Sequence, residues 1–205
     1  MLLLVIAAAM QSPAQPPVVA ACELDLFALK LGAPAGFKGN MLVKPLPASG
    51  DPLAFINVVS PYERMNDLTD DEYRRALNLP STTPVVRHWE VPIERSVRKS
   101  ASAIIPGSKC RVELVGYDSS AMQYKRSRLG KDEVAISFLY REFGPGGNIV
   151  FKYDGGGYAA IKALEKTART DREAALTDLK NGSREIISDF GKGLVKRRAK
   201  LAAKN

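Results

Sequence analysis

The sequence predicts an α+β fold, with a mixed, largely antiparallel sheet of about 4–6 strands and helices mainly on one face. Segments with strand-like alternation are interspersed with short helical segments, which favours this class over an all-helical or all-β fold. A hairpin pattern late in the chain and an apolar stripe at helical spacing near its end support it. The composition, 45% hydrophobic and 25% charged among 205 residues, is that of one ordinary globular domain.

The chain opens with a leader that has the layout of a secretory signal peptide. An uncharged apolar run, residues 2–10, precedes a segment with three prolines, and small residues offer cleavage points after Ala14 and after Ala21. The run is much shorter than the roughly 20 residues that a membrane-spanning helix needs. We therefore expect residues 1–21 to be a signal peptide and the protein to be exported, periplasmic or secreted.

The end of this leader raises two alternatives for Cys22. Residues 19–22, Val-Ala-Ala-Cys, resemble the short pattern before the lipid-modified cysteine of bacterial lipoproteins, and this resemblance implies a membrane tether through Cys22. The other cysteine of the chain is Cys110, so an oxidising compartment also permits a Cys22–Cys110 disulfide. The two readings exclude each other, because one sulfur cannot carry both modifications.

Several segments in the first half of the chain carry local secondary-structure signals. Residues 22–38 predict an entry strand or loop whose apolar cluster is residues 26–29. Residues 41–44 and 55–59 are strand candidates rich in branched side chains. Thr69 and Glu72 have the spacing of a capping box, in which each side chain accepts a hydrogen bond from the other residue's backbone amide. This box predicts a short helix that ends before the next proline.

The middle of the chain predicts a strand, a helix and a second strand. Residues 85–91 read as a strand, and the proline that follows suits the first turn of a helix, with apolar residues recurring at helical spacing through residue 105. Residues 110–115 alternate in the manner of a half-buried strand. That alternation points Cys110 inward.

A β-hairpin is predicted by two alternating segments, residues 134–140 and 149–153. They flank the sequence Gly-Pro-Gly-Gly at 144–147, which suits a tight connection between paired strands. The alternation gathers aromatic residues on one side. We therefore expect one aromatic face of the hairpin to pack against the core.

Three consecutive glycines, Gly155, Gly156 and Gly157, follow the hairpin. They are expected to lie between a strand and a helix, where backbone amides can cradle a phosphate. The spaced glycines of a dinucleotide-binding fingerprint and the Lys-Ser/Thr pair of a P-loop are absent. The three glycines are therefore candidate ligand-binding residues, with a simple turn as the alternative.

The last segment predicts a long amphipathic helical region. A capping box at residues 170–173 opens it, and apolar residues then recur at spacings of three and four. Asn181 and Gly182 could divide it into two helices. Gly191 and Gly193 should weaken its middle, at up to about 1 kcal/mol each.

Six of the eight surplus positive charges of the chain lie after Gly191, where no acidic residue occurs. We expect a single domain over residues 22–191 and a basic tail, 192–205, that continues the last helix. An anionic surface could bind the tail, with Phe190, Leu194 and Leu201 against a bilayer, at about 1 kcal/mol per charge before screening. The alternative is a packed helix with a solvated end. The expected contact residues are Lys192, Lys196, Arg197, Arg198 and Lys200.

The sequence gives little support for catalysis. His88 is the single histidine, so the usual His/Cys zinc site cannot be assembled, and no nucleophile elbow surrounds a serine. No metal site, cofactor or catalytic residue is predicted. Paired acids could in principle cleave glycosidic bonds if they converged on one cleft. The candidate acids are Glu90, Glu94, Glu113 and Asp118.

These observations favour a non-catalytic accessory or binding protein that is exported and contacts an anionic membrane surface or an envelope partner protein through its basic end. A small secreted hydrolase that uses carboxylates is the first alternative. The second is an intracellular basic protein that binds nucleic acid, which requires the leader to have been misread. The sequence does not identify a small-molecule ligand.

Overall fold

The computed structural model describes residues 23–29, 60–106, 111–122, 133–162 and 172–204. It confirms the predicted α+β class, with a mixed five-stranded sheet, helices and a long C-terminal helix. The leader, the strand candidates at 41–44 and 55–59 and both cysteines lie outside the described residues. Of the capping box at 170–173, residues 170 and 171 lie outside them as well.

The sheet has the strand order β2-β1-β3-β4-β5. Strand β1 runs parallel to β2 and β3, whereas β4 runs antiparallel to its two neighbours, β3 and β5, so the sheet is mixed. The strands are β1 (Leu24–Ala28), β2 (Val85–Arg87), β3 (Arg111–Met122), β4 (Glu133–Phe143) and β5 (Ile149–Ala160). Strands β4 and β5 form the predicted hairpin, and Gly147 in its turn adopts φ +74.

Three α-helices are described: α1 (Pro61–Asn66), α2 (Asp70–Leu77) and α3 (Arg172–Ala202). The capping box of α2 is confirmed, because Thr69 Oγ1 accepts from the Glu72 amide at 3.3 Å and Glu72 accepts from the Thr69 amide at 2.8 Å. The helix ends in a left-handed Asn78, two residues before Pro80. Local sequence signals were sufficient to predict this helix, because the capping box fixes its N-terminus and the left-handed Asn78 ends it.

The α-helices pack on one face of the sheet and build the main core with it. On β4 the alternate residues Val134, Ile136, Phe138 and Tyr140 are almost fully buried on this face. Phe190 of α3 packs against Phe138, with ring centroids 5.1 Å apart. The aromatic face predicted for the hairpin is therefore confirmed.

The opposite face of the sheet is covered by residues 88–106, here called the covering segment. The helix predicted after Pro92 is wrong, since this segment contains only a five-residue 3-10 helix, Arg95–Lys99. Its later backbone carbonyls accept hydrogen bonds from the sheet instead, Arg141 Nη1 donating to Ser100 at 3.2 Å and to Ser102 at 3.0 Å. Tertiary contacts therefore replace the local ladder that an α-helix would need.

Helix α3 is continuous over 31 residues, so the division considered at Asn181 and Gly182 does not occur. Both residues lie within the helix, which is held along β5 and α2 by packing. Favourable tertiary packing outweighs the propensity cost of an interior glycine, about 1 kcal/mol. The predicted boundary between domain and tail, at residues 191 and 192, falls inside this helix.

Candidate functional site

The end of α3 presents a row of cations to solvent. Lys192, Lys196 and Lys200 are spaced by four residues, which places them along one side of the helix. With Arg197 and Lys204 they form what we call the basic end, and all five residues are exposed. Their common exposure makes them available to an anionic surface.

Most of the basic end has no acidic partner within the described residues. Lys192 is the exception: its ammonium lies 2.7 Å from Asp189, and this hydrogen bond raises the pKa of Lys192. Lys196, Arg197 and Lys200 form no ion pair with any residue in the described ranges, and no acid follows Asp189 in the chain. The terminal turns therefore carry an uncompensated positive potential.

Arg198 differs from its neighbours because it is tied to the sheet. Its guanidinium pairs with Glu142 and donates a hydrogen bond to the Tyr140 hydroxyl at 2.9 Å. It also lies 5.1 Å from the centroid of the Phe151 ring. Burial is the main reason why the pKa of Tyr140 is raised well above its ordinary value. Of the predicted contact residues, Arg198 therefore anchors the helix rather than pointing at a partner.

The apolar residues of α3 that could face a bilayer belong mostly to the core. Phe190 and Leu194 are both 0% exposed, and Phe190 packs between Phe138 and Tyr153 of the sheet. Leu201 alone of the three proposed contacts remains exposed, at 37%. The apolar stripe predicted from the sequence exists, but it packs against the sheet. Contact with a membrane would therefore depend on the charged side chains.

The three glycines at 155–157 lie inside β5 and not in a turn before a helix. They pair in register with residues 136–138 of β4. Gly157 has a packing role: a Cβ there would lie 2.4 Å from the carbonyl oxygen of Ile186 in α3. The helix N-terminus on which the ligand-binding prediction depends does not occur at these glycines, which lie within a strand. Ligand binding by Gly155, Gly156 and Gly157 stays a prediction.

A buried charge cluster on the covered face was not predicted. It consists of Asp25, His88, Arg111, Glu113 and Arg141, from β1, the covering segment, β3 and β4. Asp25 Oδ1 lies 2.6 Å from His88 Nε2, and Asp25 Oδ2 lies 2.5 Å from Arg111 Nε. Glu113 pairs with Arg141 and accepts from the Ile104 amide at 2.9 Å.

The charge cluster fastens the covering segment to the sheet. Asp25, Glu113 and Arg141 occupy successive positions across β1, β3 and β4, and all three are 0% exposed. Burial raises the pKa of Glu113 in spite of the nearby Arg141 guanidinium. The alternation at 110–115 predicts a half-buried strand with one solvated face. In the structure both faces of β3 are covered, so Arg111 and Glu113 are buried as well.

The acids considered for glycoside hydrolysis do not form a pair on one cleft in the described residues. Glu90 and Glu94 are exposed, and Glu94 accepts a hydrogen bond from Ser96. Glu113 is buried against Arg141, and Asp118 is half-buried further along β3. In the described ranges no three His, Asp or Glu side chains are grouped so as to hold a metal ion.

A groove of about 320 Å³ separates α2 from α3 and is lined by Glu72, Arg75, Ala76, Arg184, Ile187 and Ser188. Its acidic group is already engaged, since Glu72 accepts from Thr69 and lies 2.5 Å from Arg184 Nε. These hydrogen bonds lower the pKa of Glu72 although partial burial opposes them. The groove is therefore best described as the boundary between two packed helices, which the Glu72–Arg184 ion pair bridges.

No protein-family model matches the chain, and no curated protein matches it either. A protein of Caulobacter crescentus described as a "putative lipoprotein" has 12% identity over 66% of this chain and 80% of its own, at TM-score 0.38. A hypothetical protein of Chlamydia trachomatis has 12% identity over 86% and 98%, at TM-score 0.36. A "putative neuraminyllactose-binding hemagglutinin homolog" of Helicobacter pylori has 10% identity over 97% of both chains, at TM-score 0.32. At these TM-scores the likenesses carry no argument about function.

Of the helices in the described part of the chain, none combines the length and apolar composition of a membrane span.

Proposed function

We propose that this protein is an exported, non-catalytic accessory or binding protein of the cell envelope that contacts an anionic membrane surface through its basic end. The observation that carries the proposal is the exposed set of cations on the last turns of α3, where Lys196, Arg197 and Lys200 have no acidic partner in the described residues. The export component rests on the leader sequence at residues 1–21.

The burial of the apolar side chains of α3 determines how the protein would contact a membrane. Because Phe190 and Leu194 belong to the core, they are not available for insertion among acyl chains. Each lysine or arginine near an anionic surface contributes about 1 kcal/mol, and salt screens this attraction. The binding should therefore be peripheral, reversible and strongly dependent on ionic strength.

Vesicle binding tests the proposal through the variant K196Q/R197Q/K200Q. Sedimentation with vesicles containing anionic phosphatidylglycerol should show binding of the mature wild-type protein that falls steeply as salt is raised from about 0.1 M to about 0.5 M. Losing three charges should weaken it by about 3 kcal/mol, or roughly 100-fold. Vesicles of neutral phosphatidylcholine alone should bind neither protein.

The matched control removes the same charge elsewhere. R75Q/K99Q/K180Q changes three exposed cations that lie outside the basic end. It should retain most of the wild-type binding, since contact requires charge at one place rather than a high net charge. Equal losses in the two triple variants, or no binding by the wild type, would contradict the proposed contact.

Export is tested separately by intact mass of the protein recovered from its native compartment. We expect removal of the leader after Ala14 or Ala21. A Cys22–Cys110 disulfide would remove a pair of hydrogen atoms, whereas acylation of Cys22 would add lipid mass. An unprocessed, reduced chain in the cytosol would contradict export.

A further inference from the structure

Helix α3 runs along β5 toward the turn that joins β4 and β5. Three contacts mark this course, Ile186 with Gly157, Phe190 with Tyr153 and Arg198 with Phe151. Residue numbers rise along the helix as they fall along the strand, so the two elements are antiparallel. The last turns of α3 therefore lie at the end of the sheet that carries the hairpin turn, residues 144–148.

The final turns of α3 project beyond the sheet. Four residues at spacings of four, three and four lie on one face of the helix: Phe190, Leu194, Arg197 and Leu201. Phe190 and Leu194 are 0% exposed, whereas Arg197 is exposed and Leu201 is 37% exposed. The helix face that packs on the sheet therefore becomes accessible near the C-terminus of the helix.

The hairpin turn beside this projection carries no charged side chain. Residues 143–151 include neither an acid nor a base, and residues 145–148 are exposed. Val150, just after the turn, is 53% exposed. Glu142, the acid next to this stretch, pairs with Arg198 and so is neutralised by the helix itself. An anionic surface can therefore approach the turn without meeting an uncompensated negative charge in this stretch.

We propose that the hairpin turn and the projecting end of α3 form one membrane-binding surface, in which the turn enters the headgroup region of an anionic bilayer beside the cations. This inference rests on the proposed function, because it specifies how the basic end meets the membrane. Charge complementarity argues for this occupant, since three exposed cations have no acidic partner in the described residues: Lys196, Arg197 and Lys200. The uncharged turn, with Val150 and Leu201 exposed nearby, suits the less polar interface below the headgroups.

Quenching of tryptophan fluorescence by brominated lipid tests the orientation. Tryptophan is placed at either end of β5, by N148W at the exposed turn and by Y158W at an exposed position about 33 Å away along the strand. The protein is bound to phosphatidylglycerol vesicles that contain brominated phosphatidylcholine, and Trp89, the single tryptophan of the wild type, sets the background. N148W should lose most of its added fluorescence. Y158W should lose none beyond the background, although it carries the same interfacial side chain.

A second pair of variants tests whether contact at the turn contributes to affinity. N148D preserves the shape of the side chain but adds a negative charge at the turn, and it should raise the Kd for phosphatidylglycerol vesicles about fivefold. N181D is the matched control, because it makes the same change on α3 near Ile161, at the far end of β5. Arg184 already donates to Asn181 there at 2.9 Å, so the new carboxylate has a partner and Kd should stay nearly unchanged. Circular dichroism confirms that each variant is folded.

The outcomes separate this surface from the proposed function. If sedimentation shows that the protein is bound but N148W and Y158W are quenched equally, or neither is quenched, the orientation is wrong and the basic end remains the contact. Equal effects of N148D and N181D on Kd would overturn the contribution of the turn. A wild-type protein that does not bind phosphatidylglycerol vesicles would contradict the proposed function and this surface together.

Discussion

Replacement of Arg141 by methionine is expected to lower the free energy of unfolding by about 3–5 kcal/mol. Arg141 is 0% exposed, pairs with Glu113, and donates to two backbone carbonyls of the covering segment. Among the described residues, the change leaves the buried Glu113 carboxylate with the Ile104 amide as its remaining hydrogen-bond donor. It also removes the donor from the two backbone carbonyls. Urea denaturation at neutral pH measures the effect through the midpoint.

The cost of this substitution should depend on pH. Burial already raises the pKa of Glu113, and removal of the Arg141 charge should raise it further. A carboxyl whose pKa is raised on folding contributes stability that is full below its unfolded pKa and is lost as pH rises through the folded value. The variant should therefore be less impaired at about pH 5 than at about pH 7.

Two comparisons separate a buried ion pair from a general loss of charge. Arg98 also pairs with a carboxylate, Asp154, but its side chain is 50% exposed, so R98M should cost no more than about 1 kcal/mol. E113Q/R141M should recover part of the stability lost in R141M, because the buried negative charge is gone. If R141M and R98M are equally stable, the charge cluster does not fasten the covering segment.

The fold was predictable wherever a local signal was sufficient by itself. The Thr69 capping box and the hairpin turn at 144–147 both contain the side chains and glycines that fix their geometry. The helix expected after Pro92 failed for the opposite reason. Its carbonyls are taken by Arg141, which lies about forty residues away in sequence.

The candidate site was predictable only in part, because exposure depends on the neighbours of a residue. The cations of the basic end could be read from the sequence, but Arg197 and Arg198 look alike there. Glu142 and Phe151 distinguish them, since they hold Arg198 against the sheet. The charge cluster was hidden because alternation along β3 does not reveal that the second face is covered.

The interior glycines of α3 give the sharpest contrast between local propensity and tertiary contact. By propensity, replacing a helical glycine by alanine should stabilise the protein by up to about 1 kcal/mol. At Gly191, however, a Cβ would lie 1.9 Å from the carbonyl oxygen of Ala76 in α2. Since a backbone carbonyl cannot rotate away as a side chain can, the two helices would have to separate.

Gly191→Ala is therefore expected to destabilise the protein by about 1–3 kcal/mol, with the opposite sign to the propensity effect. Gly182→Ala is the matched control: the same helix receives the same methyl group, but the nearest atom is the flexible Ile161 Cδ1 at 2.7 Å. That variant should be close to neutral, because a small side-chain shift offsets part of the propensity gain. Thermal and urea denaturation measure both changes. A stabilising Gly191→Ala would mean that α2 and α3 do not approach this closely in solution, whereas equal destabilisation by the two variants would indicate a general intolerance of α3 to added bulk.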